Sequence, residues 1–266
     1  MSRYTDHKYA NDILKNIEKN PEKYFFIHYS CENFSDITDG RTPRVTSIAI
    51  KSIKTGQVES FSMHATAEQK HISVDKIIEK YDVIEKAMLK EYFSFIKQNQ
   101  NMFYLHVNMR DINYGFKAIE HRAKVLGLQP AILHDQQKVD FADLLKKLYG
   151  DNYIGHPRME SICRFNSISS MGYMSGSDEA SAFEKQEYTK IHQSALAKVE
   201  MYTNILNKTI NKTLKTEAKW YEVYGVSILG IISFVNSKWW LKLLVWIISA
   251  IGSGVIGFYI GKILMR

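Results

Sequence analysis

The chain has 266 residues, 35 Lys and Arg against 28 Asp and Glu, a formal net charge of +7 and 45% hydrophobic residues. This balance excludes a disordered chain and a low-complexity repeat, and two cysteines far apart exclude a disulfide scaffold. A net positive charge directs attention to nucleic acid or an anionic membrane as the partner.

Residues 1–20 are polar and mixed in charge, which predicts a short helix and no secretory leader, so the body of the chain is expected in the cytoplasm. Tyr24–Ser30 (YFFIHYS) reads as an aromatic buried strand after Pro21. Arg44–Ile53 alternates as a second strand, Lys54-Thr55-Gly56-Gln57 signals a hairpin, and Val58–His64 returns as a third. Residues 73–98 carry Val74, Ile77, Ile78, Tyr81, Ile84, Met88, Tyr92 and Phe95 at helical steps. Met102–Val107 is a further strand. Helices are expected over Asp111–Leu126, Val139–Tyr149, Met159–Phe165 and Phe183–Asn211, with residues 172–180 as loop. Strands in a hairpin followed by helices and a returning strand indicate an α/β fold.

The last segment differs. Leu243–Gly261 has no charge and approaches the ~20 residues that cross a bilayer as a helix. Trp239, Trp240 and Trp246 crowd one end and Lys262 and Arg266 close the other, as interfacial anchors do. Val223–Val235 is a shorter apolar stretch, so the two are expected to form a transmembrane hairpin about Asn236–Ser237–Lys238, with both termini in the cytoplasm by the positive-inside rule. Ser249, Ser253, Gly257 and Gly261 fall four apart on one face, a spacing suited to close helix packing or self-association. The domain plan is therefore a polar helix at 1–20, a cytoplasmic domain at 21–211 and a juxtamembrane and membrane region at 212–266.

None of the common catalytic signatures occurs: no GxGxxG, P-loop, HExxH, CxxC or GxSxG. What remains is a spaced pattern. Strand 24–30 runs into Cys31-Glu32-Asn33, strand 102–107 runs into His106-Val107-Asn108-Met109-Arg110-Asp111, and the last long helix begins Tyr188-Thr189-Lys190-Ile191-His192. This layout, over about Tyr24 to Leu206, resembles the DEDD 3′–5′ exonuclease superfamily. That resemblance implies an RNase H-like mixed sheet with flanking helices, in addition to the C-terminal hairpin. The family chemistry uses four carboxylates to hold two divalent cations, with a histidine as general base. On this chain the first motif aligns with His28 and Ser30, the second keeps His106 and Asp111, and the third keeps His192 but has Ala197 where the last Asp is expected. One carboxylate of four survives, so the resemblance implies a degenerate site with no metal and no cofactor. Asp111 equally suits a helix N-cap, and His28 a buried core histidine.

Asn108–Lys124 interleaves basic and aromatic residues, and Arg110, Tyr114, Lys117 and Arg122 are candidates for binding a nucleic-acid strand or partner. The alternative is one packed helix face with solvated cations. A cytoplasmic domain joined to a C-terminal hairpin also resembles two-transmembrane effectors of bacterial anti-phage systems, including those that accompany retrons. That resemblance implies inner-membrane localisation, a protein or nucleoprotein partner such as a reverse transcriptase–nucleic acid complex, and homo-oligomers through the hairpin. A membrane-tethered metal-dependent nuclease, which would need a divalent cation, and a non-toxic membrane scaffold are the alternatives. Residues 212–266 carry +5 of the +7, so the basic character is mostly juxtamembrane.

Overall fold

The structure is a computed structural model that describes residues 2–33, 42–111 and 113–264, with backbone only from 254 onward. It is a mixed α/β fold with a five-stranded sheet and flanking helices. The strands are β1 (Tyr24–Cys31), β2 (Val45–Ser52), β3 (Val58–Ser62), β4 (Phe103–His106) and β5 (Lys138–Asp140), in the order β3-β2-β1-β4-β5. The first three pair antiparallel, while β1, β4 and β5 run parallel. The carboxyl ends of β1, β4 and β5 therefore lie at one end of the sheet, where an open α/β sheet leaves its natural crevice.

Alternation along β1 divides the core. Phe25, Ile27, Tyr29 and Cys31 face one layer with α3 (Tyr81–Gln98) and α4 (Phe116–Val125). Tyr24 and Phe26 face the other, which contains α1 (Arg3–Lys19), α5 (Phe141–Tyr149), α6 (Arg158–Phe165) and α8 (Tyr188–Ile210). His28 and Ser30 share that second face. Opposite them in register are Ala49 and Ser47, and the pairing slips between Ser30 and Cys31.

Several boundaries differ from the sequence expectations. α2 (Met63–Gln69) takes over where the third strand was expected to continue. The helix of 73–98 is a 3₁₀ turn at Val74–Lys76 followed by α3. The helix expected from Asp111 begins only at Phe116, so Asp111 is not its N-cap. Val139 and Asp140, expected at the start of a helix, belong with Lys138 to the edge strand β5, and Asp140 caps α5 by accepting from the amides of Ala142 and Asp143. The stretch 172–180 is mostly helix. α7 (Gly176–Glu184) starts on a capping box in which Ser175 and Asp178 satisfy each other's amides.

The expected first membrane span is broken. Gly225 ends α9 (Trp220–Tyr224), and α10 (Ile228–Ser237) has ten residues, about 15 Å at 1.5 Å per residue. α11 (Trp239–Leu264) follows. Among the residues described with their side chains, which end in α11 at Ser253, no single helix is long and apolar enough to cross a membrane; α10 and Trp239–Ser253 pass that test only together, bent by 111°. Ser249 and Ser253 are both exposed, and the surroundings of Gly257 and Gly261 lie outside what is described.

The stretch before α9 is a strap rather than a tether. Asn166 holds Lys215 in both directions, accepting from its amide at 2.7 Å and donating to its carbonyl at 2.9 Å, and the Glu217 amide donates to the Tyr153 carbonyl at 2.9 Å. Arg3 on α1 donates to the carbonyls of Glu222 and Lys147. Phe234 of α10 stacks on Trp220 at 5.0 Å and meets Tyr224 at 5.6 Å. These aromatic contacts and the Arg3 clasp dock α9 and α10 on the α/β domain.

Candidate functional site

At the carboxyl end of β1 lies a cleft of about 560 Å³, lined by Ser30, Cys31, Glu32, Tyr114, Glu179 and Lys198 among others, with Gly176 and Ser177 of α7 at its edge. Its floor is a buried ion pair. The Lys198 ammonium lies 2.7 Å from Glu179 Oε1, and both side chains are more than nine-tenths buried. Ser30 donates from Oγ to the same carboxylate oxygen at 3.1 Å. Tyr173 presents its ring to the ammonium at 5.5 Å. Lys198 belongs to the buried stripe of α8 that also contains Ile191, Ser194, Ala195, Val199 and Tyr202.

His28 is on the same face of β1 as Ser30. It is buried, its ring meets Tyr202 edge-on at 6.1 Å, and neither ring nitrogen has a hydrogen-bond partner among the described residues. Burial, and next the Lys198 charge, hold it well below the ordinary histidine range, so it is neutral at pH 7. Burial likewise pushes the Cys31 thiol up to about 12, helped by Glu179 and Glu32. That is the opposite of an activated nucleophile.

The other residues expected at the site do not converge there. Ala197 points toward Gly172 rather than the cleft; the residue that α8 turns inward is its neighbour, Lys198. His192 faces β2 and β3, hydrogen-bonded to Ser47 at 2.8 Å and Ser60 at 3.4 Å, with the His64 ring 5.2 Å away. Burial, and then His64, lower it to about 4. Asp111 is exposed in the loop after β4, accepting from the Asn113 amide at 2.7 Å. His28 and Ser30 are thus the only two of the five that share one face with the cleft.

The basic and aromatic candidates also divide. Arg122 is buried and bound to Glu85, with Nε to Oε2 at 2.9 Å, and to Asp82 at 2.6 Å, so it ties α4 to α3 instead of meeting a partner. Glu85 in turn accepts from the Val45 amide at 2.7 Å. Tyr114 is half-buried, stacked on Tyr29 at 4.7 Å and donating to the Tyr29 carbonyl. Arg110 is mostly exposed and pairs with Asp140 at 2.7 Å, and Lys117 is exposed. Only the last two present charge outward.

The donor set does not fit a pair of divalent cations. Among the described residues no group of three or more His, Cys, Asp or Glu side chains converges to hold a metal ion. The buried carboxylate in the cleft, Glu179, is already engaged by an ammonium, and hard cations want several oxygen ligands. Motif spacing singles out position 197 and so passes over Lys198, whose own signal in the sequence is a lysine inside an otherwise apolar helical stripe.

Compared with family models, curated proteins and solved structures, the chain has no match.

Proposed function

We propose that the chain is a membrane-anchored effector of the bacterial anti-phage kind. Its exonuclease-like domain docks a nucleic acid or nucleoprotein partner without cutting it, and its C-terminal helices perturb the inner membrane when released or clustered. The observation that carries this reading is the Lys198–Glu179 pair, which puts an ammonium at the carboxyl end of β1, where the resemblance calls for carboxylates and cations. His28 and Ser30 supply no carboxylate beside it. Further support comes from the order of elements: an antiparallel hairpin, a helix, a parallel returning strand and a long last helix across the sheet, as the resemblance to proofreading exonucleases implies. The membrane half of the reading rests on the exposed apolar surface of α10 and α11, where Ile228, Leu229, Trp239 and Trp246 all face outward.

Two assays test it on the full chain. Strong expression without a partner is expected to collapse the membrane potential, and an unchanged potential overturns the effector reading. Incubation of the purified chain with single-stranded DNA or RNA and Mg²⁺ or Mn²⁺ is expected to leave the substrate intact. Digestion that Asp111→Ala abolishes would establish the tethered nuclease instead.

A further inference from the structure

The C-terminal helices need not cross a bilayer twice to anchor the chain. We infer that α10 lies along the membrane surface and that α11 alone makes the crossing. This rests on the membrane reading above and replaces the hairpin with one span and one interfacial elbow.

Length separates the two arrangements. Ten residues of α10 reach about 15 Å, half of the ~30 Å hydrocarbon core. α11 has 26 residues, about 39 Å, and its uncharged stretch Leu243–Gly261 alone covers about 28 Å. Position also separates them. α10 is held to the α/β domain, packed against α9 and α1. Gly230 sits so close to the Tyr224 carbonyl that an added Cβ would clash with it. At Gly225, in the left-handed region with φ +77°, the backbone passes Arg3 closely enough that a Cβ would lie 3.1 Å from the Arg3 Cβ.

The outer side of α10 fits a bilayer surface. Gly230 and Phe234 turn inward, while Ile228, Leu229, Ile231 and Ile232 are exposed. At the bend, Trp239 and Trp240 are exposed beside Lys238 and Lys242, an aromatic and cationic pairing that suits the headgroup layer. The 111° turn between the helices is what a surface helix needs to feed a crossing one. Charge does not discriminate. Lys208, Lys212, Lys215, Lys219, Lys238 and Lys242 precede the crossing and two basic residues follow it, while the hairpin also gives six against two. Geometry decides.

The test is topological and uses the full chain in bacterial cells. Cysteines placed singly by Lys215→Cys, before α9, and Lys262→Cys, after the crossing, are treated with a membrane-impermeant maleimide before and after permeabilisation. Labelling on opposite sides of the membrane is the expected result. Labelling on the same side restores the hairpin and overturns the inference. Carbonate extraction of the same membranes keeps the two readings apart, since a chain released into the soluble fraction overturns the membrane reading itself. A spin label at Leu229→Cys in phosphatidylglycerol-containing vesicles provides a second readout. It is expected to report a shallow depth of about 5–10 Å at the headgroup–acyl boundary, and either water-like accessibility or a depth at the bilayer centre overturns the surface placement of α10.

Discussion

Lys198 and Glu179 meet 2.7 Å apart at the floor of the cleft, both more than nine-tenths buried, with Ser30 donating to the same carboxylate. Removing one member leaves the other charged and desolvated. Lys198→Met is therefore expected to cost about 3–5 kcal/mol in denaturant unfolding, with the double variant Lys198→Met, Glu179→Leu recovering most of that loss. A single variant as stable as the double would show that the pair is not desolvated in solution.

Arg122 and Lys117 lie on one helix but belong to different environments. Arg122→Ala breaks the buried contact with Glu85 and is expected to lower stability by about 3–5 kcal/mol. Lys117→Ala, on the exposed side, is expected to stay within about 0.5 kcal/mol. Circular dichroism melts of the two variants check the difference. Equal effects would place Arg122 at the surface.

Acid should weaken the domain through its neutral histidines. Burial lowers His28 well below its ordinary value and His106 to about 4, so an unfolded chain binds these protons before the folded one does. Their stabilising effect is fully present above the unfolded value of about 6.5 and is lost as pH falls from there toward the folded value, at about 1.4 kcal/mol per pH unit for each histidine. Unfolding free energies measured from pH 7.5 to 4.5 should fall, and His28→Leu should flatten the slope. An unchanged slope in that variant would mean that His28 is solvated.

The elbow should fail locally rather than globally. Gly230→Ala places a methyl group against the Tyr224 carbonyl, and overpacking of this kind costs about 1–3 kcal/mol. Chymotryptic cleavage between Trp220 and Phe234 is expected to rise by roughly tenfold for each 1.4 kcal/mol lost, with the melt of the α/β domain unchanged. A variant cut no faster than the parent chain would show that α10 is not docked on α9.

Much of the sheet was legible because aromatic and β-branched runs leave a local signature, as β1 and β2 do. β5 was not, since three residues pairing in parallel with β4 acquire their strand character from a partner distant in sequence. Gly176-Ser177-Asp178 is turn-like in isolation and predicts a loop; the cap at Ser175 and the burial of Ala182 and Phe183 make α7 a helix. The cleft was half legible. β1 places Ser30 there directly, but the identity of the facing residue on α8 depends on helix rotation. A one-residue error of 100° exchanges Lys198 for Ala197.

The strap at 213–219 and the Arg3 clasp give the domain no leash. An anchored body usually swings about a flexible stalk and samples many orientations. Here Asn166, Tyr153 and Arg3 hold the segment leading to α9 and α10 in a set position on the α/β domain. If the proposed anchoring holds, copies in one membrane would meet with these faces in a set orientation rather than at random.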